Sequence, residues 1–319
     1  MSVDVGADAW LASNDRVCLL MGTYRGKRFL RQQLDSLWQM SFTNWRLLVS
    51  DDGSDDGTLD ILAEFQRTCR VGQVIIRQGP RKGFLANFMN LACAPGFQAD
   101  FYAFCDQDDL WHRNKLDVAL DHLSRMDRNV PRLYCGRTRL IAADGEILGM
   151  SRLFGDMPCF SNALVQSIAG ANTMVFDEAT RRLFERVGPD LSVASHDWWA
   201  YILVTAVGGT VRYDPVPLVD YRQHGHNVQG GNLGFAARLT RLGQLLQGRV
   251  RAWNQAHIEG LSRIRASLTV DSCALLDELI SLHRSRGLNA MRRWAHTRIR
   301  RTSSMDNLAL MLAASVGRF

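Results

Sequence analysis

The sequence predicts an α/β fold with a mostly parallel sheet, and three observations carry that prediction. Short apolar runs alternate four times with segments of helical periodicity, as in successive βαβ units. The runs are apolar at nearly every position, the pattern of strands buried on both faces. Polar punctuation falls at their carboxyl ends, where open α/β sheets bind ligands.

Taken in order, Arg16 to Met21 is the first run and stops at the turn Gly22-Thr23-Tyr24-Arg25-Gly26. Phe29, Leu30, Gln33, Leu34, Leu37 and Trp38 follow at helical spacing. Trp45 to Ser50 is a second strand, ending in Asp51-Asp52-Gly53-Ser54-Asp55-Asp56-Gly57-Thr58, with a helix through Leu59, Ile61, Leu62 and Phe65. Val74 to Arg77 is a third, followed by the turn Gly79 to Gly83 and a helix from Phe84 to Ala92. Phe101 to Cys105 is the fourth, running into Asp106-Gln107-Asp108-Asp109 and a helix from Arg113 to about Met126. Such alternation implies right-handed crossovers.

The second half is less regular. Arg132 to Leu140 and Glu146 to Leu148 flank a hairpin signal at Ala142-Ala143-Asp144-Gly145. Ala171 to Phe176 reads as a strand, Glu178 to Arg186 as a helix, and Ser195-His196-Asp197 opens a buried helix that is apolar from Trp198 to Val207. Val211 to Tyr213 reads as a short strand and Val219 to Asn227 as a polar loop, with a domain edge at Gly230-Gly231. From Phe235 on, Leu239, Leu242, Leu246, Val250 and Trp253 fall on one face of a helix ringed by Arg238, Arg241, Arg249 and Arg251. The expected organisation is a tail at 1–15, a globular domain at 16–232 (halves 16–130 and 131–232) and a basic helical region at 233–319.

Bulk properties narrow the classes. With 319 residues, 46% hydrophobic and 22% charged, the chain has room for a large core and an ordinary soluble composition. No apolar run reaches the ~20 residues that span a bilayer. Residues 1–15 carry three Asp and no base, unlike a secretory signal. The 7 cysteines include no Cys-x-x-Cys pair, and Cys18, Cys105 and Cys135 lie in apolar runs, as reduced core thiols of a cytoplasmic protein do. The net charge of +6 is uneven: residues 235–319 hold 14 arginines, no lysine and 5 acids, while the remainder is slightly acidic.

The chemistry concentrates at Asp106, Asp108 and Asp109, three carboxylates within four positions. Carboxylates crowded at a strand end resist desolvation unless a cation sits among them. Oxygen ligands of this kind suit Mg²⁺ or Mn²⁺ together with phosphate oxygens. The bland alternative is a solvated turn whose Asp caps the next helix.

Six motifs in order carry a resemblance: Thr23-Tyr24-Arg25-Gly26, Gln32 with Leu34-Asp35-Ser36, Ser50-Asp51-Asp52-Gly53-Ser54 with Gly57-Thr58, Cys105-Asp106-Gln107-Asp108-Asp109-Leu110-Trp111, His196-Asp197-Trp198-Trp199, and Tyr221-Arg222-Gln223-His224. Over roughly residues 16–230 the chain resembles family 2 glycosyltransferases of the GT-A fold, most of all the rhamnosyltransferase branch that builds bacterial surface polysaccharides. The resemblance implies that Thr23, Tyr24, Asp51 and Asp52 hold the base and ribose of a nucleoside diphosphate sugar, with Gly83, Asn87 and Gln107 on the donor side. It implies Asp106 and Asp108 as metal ligands, His224 completing the metal or diphosphate site, and Asp197 as general base. The family usually has Asn where Arg25 and His226 stand. Arg25 reads as a solvated turn residue, with a phosphate contact as the alternative, and His226 leaves open which histidine faces the metal.

These residue types permit metal-assisted glycosyl transfer. A metal at Asp106 and Asp108 neutralises the charge that a departing diphosphate gains. Asp197, at a helix N-terminus, takes the proton of an acceptor hydroxyl, and in-line attack with one base predicts inversion. Trp198 and Trp199 read as a sugar-binding surface or as plain core. The expected donor is dTDP-L-rhamnose, with a UDP-hexose or UDP-N-acetylhexosamine as the alternative, and the expected acceptor is a lipid-linked glycan. The basic region 233–319 reads as helices lying on an anionic membrane surface, which places the protein at the inner face of the plasma membrane, or as a packing or oligomerisation element. A nucleotidyltransferase would need a longer basic loop after the first strand. A nucleic-acid-binding protein would leave the strand-end carboxylates unexplained, and no nucleic acid partner is expected.

Overall fold

The structure is a computed structural model that describes residues 15–155, 157–224 and 249–319. Its first half follows the expected alternation: β1 (Val17–Thr23), α1 (Leu30–Trp38), β2 (Trp45–Asp51), α2 (Thr58–Thr68), β3 (Val74–Gln78), α3 (Phe84–Ala92), β4 (Phe101–Cys105), a two-residue strand β5 (Leu110–Trp111) and α4 (Lys115–Ser124). β3, β2, β1 and β4 lie side by side in parallel, so their four carboxyl ends open on one edge. β1, β2 and β4 are apolar at nearly every position because both their faces are covered, whereas β3, at the edge, is partly exposed. Leu19 and Val49 pack with Leu30, Leu34 and Leu62 on one side, and Leu20 and Leu48 with Phe88 and Phe104 on the other.

Beyond β4 the sheet continues through β9 (Val175–Asp177), β6 (Arg132–Gly136) and β10 (Thr210–Asp214). β9 is antiparallel to both its neighbours, and β10 is parallel to β6. A second sheet has the order β5-β11-β7-β8, where β7 is Arg139–Ile141, β8 is Ile147–Met150 and β11 is Val219–Arg222. The expected hairpin joins β7 to β8, with Gly145 at a φ of 97°. Helices α5 (Phe160–Ala163), α6 (Glu178–Val187) and α7 (His196–Ala206) belong to this half.

Three expectations are corrected. The strand expected over Arg132–Leu140 breaks in two, because the chain leaves the main sheet at Gly136, where a Cβ would lie 3.2 Å from the Asp214 carbonyl oxygen. The strand expected from Ala171 opens as a 3-10 turn, Ala171–Thr173. The segment read as a polar loop from Val219 contains β11, whose polar residues are buried with partners: Asp220 binds Arg139 and His112. Polar composition hid a strand that buries ion pairs instead of apolar groups.

The C-terminal region forms α8 (Arg249–Arg263), α9 (Val270–Arg284), α10 (Gly287–His296) and α11 (Ser304–Ser315). Gly260 lets α8 approach α7 closely, since a Cβ there would sit 2.7 Å from the Trp199 ring. No helix among the described residues is long and apolar enough to cross a membrane. The Gly230-Gly231 edge, His226 and the start of the amphipathic helix lie outside the described residues.

Candidate active site

Two acidic clusters stand at neighbouring strand ends. At the end of β2, Asp51 is buried and satisfied by its own loop. Its Oδ1 accepts the Ser54 N–H at 2.8 Å, and its Oδ2 accepts the hydroxyls of Thr23 at 2.8 Å and Ser54 at 2.6 Å. Asp52 reaches across to the loop between β3 and α3, accepting the N–H groups of Arg81 at 2.6 Å and Gly83 at 2.8 Å. Arg81 and Gly83 adopt positive φ of 57° and 89°, a strained course that the carboxylate holds in place. Asn87 donates to the Ser50 carbonyl at 2.8 Å, while its buried Oδ1 has no partner among the described residues. Thr23, Asp51, Asp52, Gly83 and Asn87 are thus brought together, and their first task is to shape the crevice wall.

Gln107 plays the same part between β4 and β1. Its amide accepts the Tyr24 N–H at 2.9 Å and donates to the Tyr24 carbonyl at 3.0 Å, so both backbone groups of Tyr24 are engaged and its ring, 50% exposed, is what remains for a ligand. Gly26 makes room for this clamp: a Cβ there would fall 2.4 Å from Gln107 Oε1. Arg25 pairs with Asp55 through two bonds of 2.8 Å on the surface, which favours the turn reading over a phosphate contact.

The cluster after β4 is open. Burial, then Asp108 and Asp197, push the Asp106 carboxyl up to about 8. Asp108 and Asp197 are thus both near enough to Asp106 to disfavour its ionised form. Asp108 Oδ2 lies 2.8 Å from His224 Nε2, and that imidazole stacks on Phe29 at 5.0 Å. Asp109 does something else. It is fully buried, accepts from the Asn172 amide and from the Arg222 N–H at 3.1 Å, and fixes the loop from beneath. Arg222, also buried, donates to the Asp108 carbonyl at 2.9 Å and to Gln32 Oε1 at 2.7 Å, with its guanidinium 4.7 Å from the Phe29 ring. Neither Asp109 nor Arg222 was assigned a role from the sequence. A buried position for Asp109 was not legible, but Arg222 stood in plain view within a motif.

Asp106, Asp108 and His224 offer hard oxygens and one imidazole, a donor set that fits Mg²⁺ or Mn²⁺. Among the described residues no three His, Cys, Asp or Glu side chains are grouped closely enough to hold a metal ion, and of this set Asp108 and His224 are the pair in direct contact.

Comparison with known proteins decides the family. The description "Glycosyl transferase family 2" matches residues 18–151, the stretch that contains both acidic clusters. Residues 18–151 carry a glycosyltransferase family 2 sequence. The dTDP-rhamnosyl transferase RfbG of Shigella flexneri is 24% identical over 254 residues, covering 70% of this chain and 78% of that protein. The Escherichia coli UDP-Glc:alpha-D-GlcNAc-diphosphoundecaprenol beta-1,3-glucosyltransferase WfgD is 28% identical over 118 residues, 37% of this chain and 44% of its own. Among solved structures, S. aureus TarS 1-349 aligns with a TM-score of 0.56 at 13% identity, covering 93% of this chain and 78% of that one. The mannosyltransferase PcManGT from Pyrobaculum calidifontis, solved with GDP-Man and Mn²⁺, aligns at 0.50 with 18% identity over 96% and 90%. These likenesses show the GT-A fold.

The glycosyltransferase reading directs attention to α7. Asp197 lies in its first turn, partly exposed, near enough to Asp106 to raise that carboxyl. His196 is buried and stacked on Phe88 at 4.1 Å, and burial pushes it down to about 4, so it anchors the helix start as a neutral ring. Trp198 and Trp199, offered above as sugar contacts, face the other way. Trp199 is 0% exposed and stacks on His257 of α8 at 5.7 Å. Trp198 donates to the Ala163 carbonyl at 2.6 Å and sits edge-on to Trp253. In this glycosyltransferase both indoles are core that fastens the C-terminal helices to the helix bearing Asp197.

Proposed function

We propose that this glycosyltransferase transfers a sugar, with inversion, from a nucleoside diphosphate donor to a hydroxyl of a lipid-linked glycan during bacterial surface polysaccharide assembly, at the cytoplasmic face of an anionic membrane. The observation that carries this reading is the Asp106 carboxyl at the end of β4, which burial and the nearby charges of Asp108 and of Asp197 on α7 hold far above its ordinary pKa. Asp106, Asp108 and His224 would hold Mg²⁺ or Mn²⁺. When bound, the ion supplies neutralisation of the charge that the leaving diphosphate acquires. Tyr24 presents its ring to the base, and the loops tied by Asp51, Asp52 and Gln107 keep the crevice wall in shape. Asp197 accepts the proton of the attacking hydroxyl, a role worth ~10²–10⁴-fold in rate.

The likeness to RfbG supports dTDP-L-rhamnose as donor, and the diphosphoundecaprenol-linked acceptor in the name of WfgD supports a diphosphate-lipid carrier. A UDP-hexose donor is the second reading, favoured by the UDP-glucose in the name of WfgD. A thermal-shift series with dTDP, UDP and GDP, each with and without Mn²⁺, tests the donor site. The expected result is a rise in melting temperature with dTDP that requires the metal. A larger metal-dependent rise with UDP selects the second reading, and no rise with any nucleotide overturns the site.

A further inference from the structure

The last helix, α11, has an exposed apolar stripe. Leu310, Ala313 and Ala314 are buried against the rest of the chain. On the opposite side Met305, Leu308, Leu312 and Val316 are 76%, 53%, 52% and 62% exposed, at spacings of three, four and four residues. A contiguous apolar stripe on a helix is ordinarily covered, and this one is not. α10 packs beside it, for Gly317 at the end of α11 comes so near Arg286 that a Cβ would lie 2.9 Å from its Nε. α10 contributes Arg292 and Arg293, both exposed and without an acid against them among the described residues. Four of the five acids of residues 235–319 are already paired with arginines of the same region.

We infer that α11 is a membrane-docking surface: Met305, Leu308, Leu312 and Val316 insert into the headgroup boundary of an anionic bilayer while Arg292 and Arg293 meet its phosphates. Charge complementarity selects this occupant. A second copy of the chain would bring one arginine-rich surface against another, an unfavourable juxtaposition. Four side chains also fall well short of the roughly 800 Å² per partner that a stable protein interface uses. A lipid surface needs no matching contour, and combined apolar and basic contact is the usual basis of interfacial helix binding. The inference rests on the proposed lipid-linked acceptor for its purpose only, since vesicle binding involves no sugar nucleotide and the two readings fail separately.

The test is flotation of the full chain with vesicles of phosphatidylglycerol and phosphatidylethanolamine, compared with phosphatidylcholine alone. Leu308→Glu with Leu312→Glu forms one variant and Arg292→Glu with Arg293→Glu a second, each checked for folding by its melting temperature. The expected result is binding to the anionic vesicles that weakens about tenfold or more in both folded variants. Folded wild-type protein that fails to float with anionic vesicles overturns the inference. So does binding that falls with the arginine changes yet is untouched by the leucine changes, which would be charge attraction without insertion. Self-association abolished by Leu308→Glu and Leu312→Glu would overturn it in favour of a second copy.

Discussion

Two pairs of aspartates sit at adjacent strand ends, and the chain treats them in opposite ways. Asp51 and Asp52 are surrounded by donors that the chain itself provides: the hydroxyls of Thr23 and Ser54 and the N–H groups of Ser54, Arg81 and Gly83. Asp106 and Asp108 have one imidazole between them, at Asp108, and a third acid, Asp197, across the gap. The first pair is finished by folding and the second is not. Identical side chains thus do structural work where the loop supplies the hydrogen bonds, and stay electrostatically strained where it does not. The difference explains why an Asp-Asp doublet is ambiguous in sequence, and it can be tested by substitutions that leave shape nearly unchanged.

The largest effect is expected at the open group. Asp197→Asn should lower the transfer rate ~10²–10⁴-fold while the metal-dependent thermal shift by nucleotide persists. Turnover near the wild-type rate would remove Asp197 as the base. Next comes a contrast in sign. Asp51→Asn places an amide against hydroxyl and N–H donors and should cost about 2 kcal/mol in urea unfolding. Asp106→Asn relieves a buried, repelling carboxyl and should leave stability equal or higher, as expected where function stores strain. If both variants lose stability alike, the distinction between a finished and an unfinished cluster fails. A smaller effect is expected at the clamp. Gly26→Ala should cost about 1–2 kcal/mol by displacing the Gln107 amide, and Gln107→Ala should recover part of it in the double variant.

Much of this is legible in the sequence alone. The four strands and helices of the first half fall within about three residues of their expected bounds, because a parallel sheet buried on both faces leaves few polar residues inside its strands. The contact of Asp108 with His224 and the nearness of Asp197 to Asp106 join motifs far apart in the chain, His224 lying 116 residues beyond Asp108. What was not legible shares one cause: its partners are distant in sequence. β11 looked like a loop because its charges are satisfied by Arg139 and His112, which no local pattern reveals. Trp198 and Trp199 suggested a sugar surface, and only the docking of α8 through Gly260 and His257 shows that they are core. The clamp of Gln107 on Tyr24 spans 83 residues and depends on a glycine whose need is steric, not periodic.

The last prediction follows from protons and isolates the open group. An unfolded Asp titrates near 3.9, whereas burial and the facing acids hold Asp106 at about 8 in the folded protein. Between those values the folded state carries a proton that the unfolded state lacks. Stability from this group is therefore fully present below pH 4 and is lost as pH rises toward 8. Two other sets of groups act with the opposite sign. His196 and His257, pushed down to about 4 and about 3 by burial, lower stability as pH falls below about 6.5. Lys115, pushed down to about 7 by burial, adds stability as pH rises above 7. Subtracting the Asp106→Asn curve from the wild-type curve removes these contributions. With metal chelated, the difference should fall by about 1 kcal/mol per pH unit between pH 5 and 7. Saturating Mn²⁺ should flatten that slope, because a bound cation keeps Asp106 ionised in the folded state as it is in the unfolded one. A difference curve that is flat without metal would mean that Asp106 shares the settled environment of Asp51, and the contrast between the two pairs would disappear.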